Sequence, residues 1–263
     1  VTRFVALGDS TTEGLGDRVH PGRWRGWAEL LAAALGSESF ANLAIGGATT
    51  ADVRACQLPA ALAARPQLAS VLAGGNDVLR GSFDPRRSAE NLEEAVAALG
   101  AAGSTVITVR LPDPGRLARL PGPLRRPLVA RVAALNDAID GIAAAHGTVH
   151  LDPWHLDPGA DPSAYHRVMW MVDRIHPSER GHRRLARLAA TALLAAGWPV
   201  PTPPDAEPDG VPAGPFDDAW WLATRGTVWL AARSTDFLPQ LLGAAALDLY
   251  RGTGPRGGVT PVL

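Results

Sequence analysis

The chain reads as an α/β protein built on a parallel sheet covered by helices on both faces, and three observations predict this. Short apolar runs alternate with longer segments of helical periodicity. The most β-branched run, Thr105 to Val109, has no polar alternation, as a strand buried on both sides requires. Three early strands end in small, turn-permitting residues: Gly8, Gly46-Gly47 and Gly74-Gly75. In a parallel sheet those three ends share one edge, the edge where open α/β folds keep their ligands.

Taken in order, Thr2 to Leu7 is the first predicted strand, followed at once by Gly8-Asp9-Ser10-Thr11-Thr12-Glu13-Gly14. Trp24 to Leu35 is a predicted helix, with Trp27, Leu30, Leu31 and Leu35 at helical spacing and Gly36 as its stop. Phe40 to Ala44 is the second strand, and Thr50 to Ala64 a helix interrupted near Pro59. Gln67 to Ala73 forms the third strand, Ser88 to Ala102 a helix and Thr105 to Val109 the fourth strand. Pro112 to Pro127 reads as loop or broken helix, and Leu128 to Ala145 as a helix. Thr148 to Leu151 is the last strand, and the helix after Pro177 carries Leu185, Leu188, Ala189, Ala192, Leu193 and Ala196 on one stripe.

Composition changes after this helix. Seven of the 17 residues from Pro199 to Pro215 are proline, which favours an extended, stiff connector over regular structure. The predicted organisation is therefore a body over 1–197, a Pro-rich linker over 198–215 and a helical, Trp-rich extension over 216–263. In the extension Trp220, Trp221 and Trp229 precede a second amphipathic run capped by Asp236. Such a segment could dock on the body, join two copies as a homodimer or lie on a lipid surface, and docking is the expected outcome.

The charge balance of 25 basic against 26 acidic residues, all the basic ones arginine, argues against nucleic acid as a partner. No apolar run is long enough for stable membrane insertion. Nor does a charged and apolar leader open the chain, so it reads as cytoplasmic; because it begins at Val1, secretion after loss of an upstream segment stays open. The single cysteine, Cys56, lies in an alanine-rich helical stretch and reads as a buried structural thiol.

The candidate nucleophile is Ser10, just beyond the first strand. A serine hydroxyl needs a base to take its proton, and the base needs a group to fix its tautomer. Asp173-Arg174-Ile175-His176-Pro177 offers an acid and an imidazole three residues apart, in a loop leading into a helix. Acyl transfer also needs donors for the developing oxyanion, each worth roughly 2.7–4 kcal/mol in the transition state. Gly47 and Asn76 follow the second and third strands, on the same predicted edge as Ser10.

Gly8-Asp9-Ser10, Gly47 after Asn42-Leu43-Ala44-Ile45-Gly46, Gly75-Asn76-Asp77 and Asp173-x-x-His176 together resemble the four sequence blocks of the SGNH (GDSL-type) hydrolases. The resemblance spans about residues 2 to 197. It implies a three-layer, flavodoxin-like α/β/α fold and ester hydrolysis through a seryl acyl-enzyme, with no cofactor. By position it makes Ser10 the nucleophile, His176 the base and Asp173 the acid that orients it. The N–H groups of Ser10 and Gly47, with the Asn76 side chain, would form the oxyanion hole. The chain departs from the family pattern at Thr11, where leucine is common, and at Gly46, where serine often stands. The absence of a G-x-S-x-G pentapeptide separates it from the α/β-hydrolases.

The expected substrate is a small ester carrying a short acyl group on an alcohol, sugar or natural product. Acyl transfer from the same intermediate is the variant reading, and a non-catalytic binding module the rival from another class. Asp9 and Arg110 are candidate substrate contacts, Arg110 because it ends a strand and could meet an anionic group. His150, Asp152, His155 and Asp157 could in principle hold a metal, but they match no established ligand spacing, and no metal is expected. Most of the other arginines in two clusters, Arg116, Arg119, Arg125, Arg126 and Arg131 in the middle and Arg180, Arg183, Arg184 and Arg187 on the last helix, read as solvated faces.

Overall fold

A computed structural model of the chain describes residues 2–20, 22–112, 122–153 and 168–211, with scattered positions between 214 and 246. Its strands are β1 (Arg3–Gly8), β2 (Arg18–His20), β3 (Arg23–Trp24), β4 (Ser39–Asn42), β5 (Leu68–Leu72), β6 (Thr105–Val109) and β7 (Val149–Leu151). Five of them form one parallel sheet in the order β4-β1-β5-β6-β7, while β2 and β3 pair as a separate antiparallel hairpin. The chain leaves β1 for one side of the sheet and returns to its other side, so the crevice beyond the end of β1 is a topological switch point.

Three short helices follow strand ends or their loops: α1 (Ser10–Glu13), α3 (Thr50–Asp52) and α5 (Gly75–Val78). The covering helices are α2 (Gly26–Ala34), α4 (Leu58–Ala64), α6 (Pro85–Ala101), α7 (Gly122–His146) and α8 (Glu179–Ala195). Helices α2 and α8 pack together on one face; α4, α6 and α7 lie on the other. Between these layers every residue of β5 is buried, as is all of β1 after Arg3. The α8 stripe points inward through Leu185, Ala186, Ala189 and Leu193, each burial worth roughly 1.5–3 kcal/mol for a leucine.

Several expectations are corrected. The first long helix begins at Gly26, because Arg23 and Trp24 are taken by the hairpin, whose Gly22 adopts a φ of 78°. The helix expected to break near Pro59 instead widens into a π-helical turn, Val53–Gln57, in which Leu58 N–H reaches back to the Val53 carbonyl. Pro59 follows in the first turn of α4, where it needs no N–H partner. Helix α6 starts at Pro85, because the Asp84 carboxylate caps Arg86 N at 3.0 Å. Helix α7 starts at Gly122 and runs through Pro127, inside the stretch read as loop or broken helix. Burial of Leu128, Val132 and Leu135 directly after it offsets the one lost helical bond.

Cys56 is exposed, not buried, since the π turn directs Val53 and Gln57 inward and leaves Cys56 outside. Arg183 is the exception to the solvated arginine face: it is 2% exposed, covered by the segment after α8. That segment, residues 199–211, lacks helix and strand as expected but is fastened to the body. Among the C-terminal aromatics Trp220 is exposed and stacks on Phe216 at 6.4 Å. Trp221, Trp229 and Asp236 lie outside the described residues. Among the described residues no helix is long and apolar enough to cross a membrane.

Candidate active site

The turn at Ser10 is built on tight backbone approach. A side chain at Gly8 would collide with the Leu72 carbonyl of β5, so only glycine lets β1 end there. Gln57 clamps the same residue from both sides: Gly8 N donates to Gln57 Oε1 at 2.8 Å, and Gln57 Nε2 donates to Gly8 O at 2.9 Å. Asp9 then caps α1 by accepting from Thr11 N at 3.0 Å. Ser10 is the first residue of that helix, and Gly14 ends it in the left-handed region at φ 108°.

His176 arrives on a loop folded back on itself before α8. Trp170 bridges to Pro177, Met171 N donates to His176 O at 2.9 Å, and Ser178 N to Met169 O at 2.9 Å. At its tip Arg174 takes the left-handed conformation (φ 55°), which lets Asp173 Oδ1 accept from both Ile175 N (2.9 Å) and His176 N (3.1 Å). The other oxygen, Oδ2, lies 2.7 Å from His176 Nδ1, and His176 Nε2 lies 2.8 Å from Ser10 Oγ. Burial acts to raise the Asp173 pKa, but the hydrogen bond and charge of His176 and the two backbone N–H groups outweigh it and hold the carboxyl below its ordinary range. An ionised carboxylate only accepts, so Nδ1 carries the proton and Nε2 is left to accept from the Ser10 hydroxyl.

Gly47 stands on a turn beside Ser10, in which Ile45 N donates to Gly8 O (3.3 Å) and Ala48 N to Ile45 O (3.0 Å). A methyl on Gly46 would sit 3.8 Å from Ser10 Cβ, which places this turn against Ser10, and 2.8 Å from the movable end of the Glu13 side chain. Gly47 itself has φ 84°, and its carbonyl accepts from Arg80 Nη2 at 3.3 Å. Asn76, the second residue of α5, donates one amide hydrogen to Ala48 O at 3.0 Å, joining the two turns. Next to it, buried Asp77 accepts from Thr50 N (3.0 Å) and Thr50 Oγ1 (2.7 Å) and so fixes the start of α3.

The two candidate substrate contacts are placed differently. Asp9 is 6% exposed, and its burial lifts its pKa to about 6 against the lowering influence of Thr11 N and His176. Arg110 stands at the end of β6 with its guanidinium engaged by Asp140 and, at 3.3 Å, by Asp152. An anionic substrate there would compete with two carboxylates. Of the residues weighed as metal ligands, His150 turns to Thr108 Oγ1 (2.9 Å) and Asp140 Oδ1 (3.0 Å), and Asp152 to Arg110. His155 and Asp157 lie outside the described residues.

Sequence reasoning missed the residues that hold these turns together. His182 is fully buried; it accepts from Trp27 N at Nδ1 (3.3 Å) and donates from Nε2 to Leu15 O (2.7 Å). Burial pushes its pKa down to about 4, so it is neutral in the folded protein at ordinary pH. Its signal was available, since it lies on the apolar stripe with Leu185, Ala189 and Leu193. Gln57 gives the same signal between Val53 and Ala61.

The family model of the GDSL-like lipase/acylhydrolase family matches residues 6–184. Among solved structures, TesA is 27% identical, with a TM-score of 0.55 over 73% of this chain and 97% of its own. The acetylxylan esterase Axe2 of Geobacillus stearothermophilus is 20% identical, with a TM-score of 0.56 over 73% of this chain and 94% of its own. The psychrotrophic esterase EstA of a Pseudoalteromonas species is 18% identical, with a TM-score of 0.55 over 74% of this chain and 98% of its own. Among the curated proteins none matches in sequence. The chain belongs to the GDSL-like lipase/acylhydrolase family of ester-cleaving serine hydrolases.

Proposed function

We propose that the protein cleaves short-chain carboxylic esters through an acyl-enzyme on Ser10. The observation that carries this reading is the unbroken line from Asp173 through His176 to Ser10, at 2.7 and 2.8 Å. His176 Nε2 takes the hydroxyl proton as Ser10 Oγ bonds to the carbonyl carbon of the ester. The resulting imidazolium is stabilised by Asp173. It then passes its proton to the departing alcohol, leaving the acyl group on Ser10. Water enters by the same route and His176 acts as base again, which releases the acid.

The oxyanion of each tetrahedral intermediate falls to the N–H groups of Ser10 and Gly47 and the Asn76 side chain. Passage of the Gly46-Gly47 turn beside Ser10, with Asn76 bonded to that turn, supports this assignment. The exposed side chains next to these residues in the chain are apolar: Ile45 beside Gly46, Val172 beside Asp173 and Ile175 beside His176. That supports an uncharged acyl or alcohol group at the mouth. The structural neighbours named as esterases, one of them an acetylxylan esterase, accord with a short acyl group.

The test is hydrolysis of p-nitrophenyl acetate by the wild type and by Ser10→Ala, followed by a series of acyl lengths and acetylated sugars. Turnover that disappears with Ser10→Ala supports the reading. Absence of Ser10-dependent turnover on every short acyl ester would falsify it.

A further inference from the structure

The strap of residues 199–211 lies beyond residue 184, where the family match ends, yet it is bonded along its length to the hydrolase body. Arg187 Nη1 donates to Pro204 O at 2.8 Å and Arg183 Nη1 to Asp205 O at 3.2 Å. At the far end Asp209 accepts from Arg25 Nη2 at 2.7 Å and also pairs with Arg183. The backbone N–H groups of Asp209 and Gly210 both donate to Glu179 Oε1, at 2.6 and 2.8 Å. Glu179 is only three residues after His176.

Arg25 carries this anchorage inward. Its guanidinium also holds both oxygens of Asp17, at 2.9 and 3.0 Å, and Asp17 is fully buried. Such a bidentate pair is directional and depends on exclusion of water. The residues just before Asp17 reach both halves of the active site. Leu15 N donates to Ser10 O at 3.0 Å, and Gly16 lies so close to the Pro177 carbonyl that a side chain there would collide with it. Residues 14–17 therefore fill the space between the backbone of Ser10 and the residue that follows His176.

We propose that the strap is a positioning element of the active site: Asp209, by holding Arg25 on Asp17, keeps residues 14–17 seated between the Ser10 turn and the His176 loop and so sets the reach from Ser10 Oγ to His176 Nε2. This rests on the reading of Ser10 and His176 as nucleophile and base. Without the Asp209 carboxylate Arg25 keeps Asp17 and, at 3.3 Å, Glu179 Oε1, but loses its shortest tie to the strap and with it part of the restraint on its pairing with Asp17. Asp209 makes no contact with a substrate in this scheme; it acts through other residues.

The experiment uses full-length variants. Asp209→Ala removes the carboxylate tie to Arg25 and keeps the backbone bonds of the strap to Glu179. Gly210→Ala keeps every charge but places a methyl 2.7 Å from Glu179 Oε2 and 2.9 Å from Arg18 O, which lifts the strap. Glu207→Ala is the control, because its exposed pair with Arg180 at 2.9 Å lies on the same strap but away from Arg25. On p-nitrophenyl acetate the first two variants lower kcat about tenfold. KM stays within about twofold. Asp209→Glu recovers part of the loss, and the control matches wild type. The downfield proton resonance of His176 Nδ1–H, sharp in wild type and control, broadens in Asp209→Ala and Gly210→Ala.

Unchanged kcat and an unchanged resonance in both variants would overturn the proposal, and so would a fall in kcat that only matches the unfolded fraction measured by circular dichroism at the assay temperature. A wild type without Ser10-dependent turnover would strike the esterase reading instead, and the resonance would then decide the strap by itself.

Discussion

Asp173 grips His176 at two points, with Oδ2 on the ring at 2.7 Å and Oδ1 on the backbone N–H of the same residue at 3.1 Å. The two oxygens have separable tasks. Asp173→Asn keeps an oxygen for the backbone but can no longer hold the Nδ1–H tautomer as an anion. It should lower kcat by about 10³- to 10⁴-fold with little change in thermal midpoint. Asp173→Ala should match that loss and lower the midpoint as well, because the loop tip loses both of its N–H acceptor bonds. Steady-state kinetics with thermal unfolding checks both, and an Asn variant within tenfold of wild type would contradict the assignment.

Asn76 joins two turns through Ala48 O, while its neighbour Asp77 carries the packing of α3. The Asn76→Ala variant should therefore stay folded. It should lower kcat by about 10²- to 10³-fold, the cost of one missing oxyanion donor. Substrate affinity should change little, since the donor acts on charge that exists only in the transition state. A variant that lost KM alone would place Asn76 in ground-state binding.

Two buried groups, Asp9 and His182, are shifted in opposite directions. Asp9 is raised from 3.8 to about 6, so its contribution to stability is full below pH 4 and is lost as pH rises through about 6. His182 is lowered from 6.5 to about 4, so its contribution is full above pH 6.5 and is lost as pH falls through about 4. Each amounts to about 3 kcal/mol, and between pH 4 and 6 they oppose one another. Asp9→Asn, which preserves the cap, removes one of them. The stability of this variant relative to wild type should rise by up to about 3 kcal/mol from pH 4 to pH 6 in urea unfolding. A difference independent of pH would show that Asp9 titrates normally.

Cys56 offers a simple check on the π turn. Its exposed side chain should react with a thiol reagent in the folded enzyme, and labelling should leave turnover intact, since Gln57 and Val53 alone face the sheet. Reaction only after unfolding would mean that Cys56 points inward and that the turn is an ordinary α-helix.

What was legible in the sequence follows physical range. The glycine turns that follow β1, β4 and β5, at Gly8, Gly46-Gly47 and Gly74-Gly75, were readable because glycine is a local demand of the backbone, although β4 itself stops earlier, at Asn42; the parallel sheet brings the three turns to one edge. The Asp173 and His176 pair was readable because both partners lie in one loop. The partners of Arg183 were not, because Asp209 lies 26 residues away in a proline-rich segment whose composition says only that it is not helical. Cys56 was misjudged for a related reason. Helical periodicity assumes 3.6 residues per turn, and one π turn changes the face that every following residue presents.

That turn also makes helical phase part of the chemistry. The carboxamide of Gln57 takes the place of a neighbouring peptide group at Gly8, completing the hydrogen bonding of β1 two residues before Ser10. Gln57 closes the π turn Val53–Gln57 and faces inward with Val53. Removing a residue from this turn would restore an ordinary helix and rotate everything upstream or downstream of the cut by about 100° relative to the other part. The carboxamide would then miss Gly8 and leave the strand end slack. The length of a helix that touches no substrate is thus as restricted as the identity of the serine it supports.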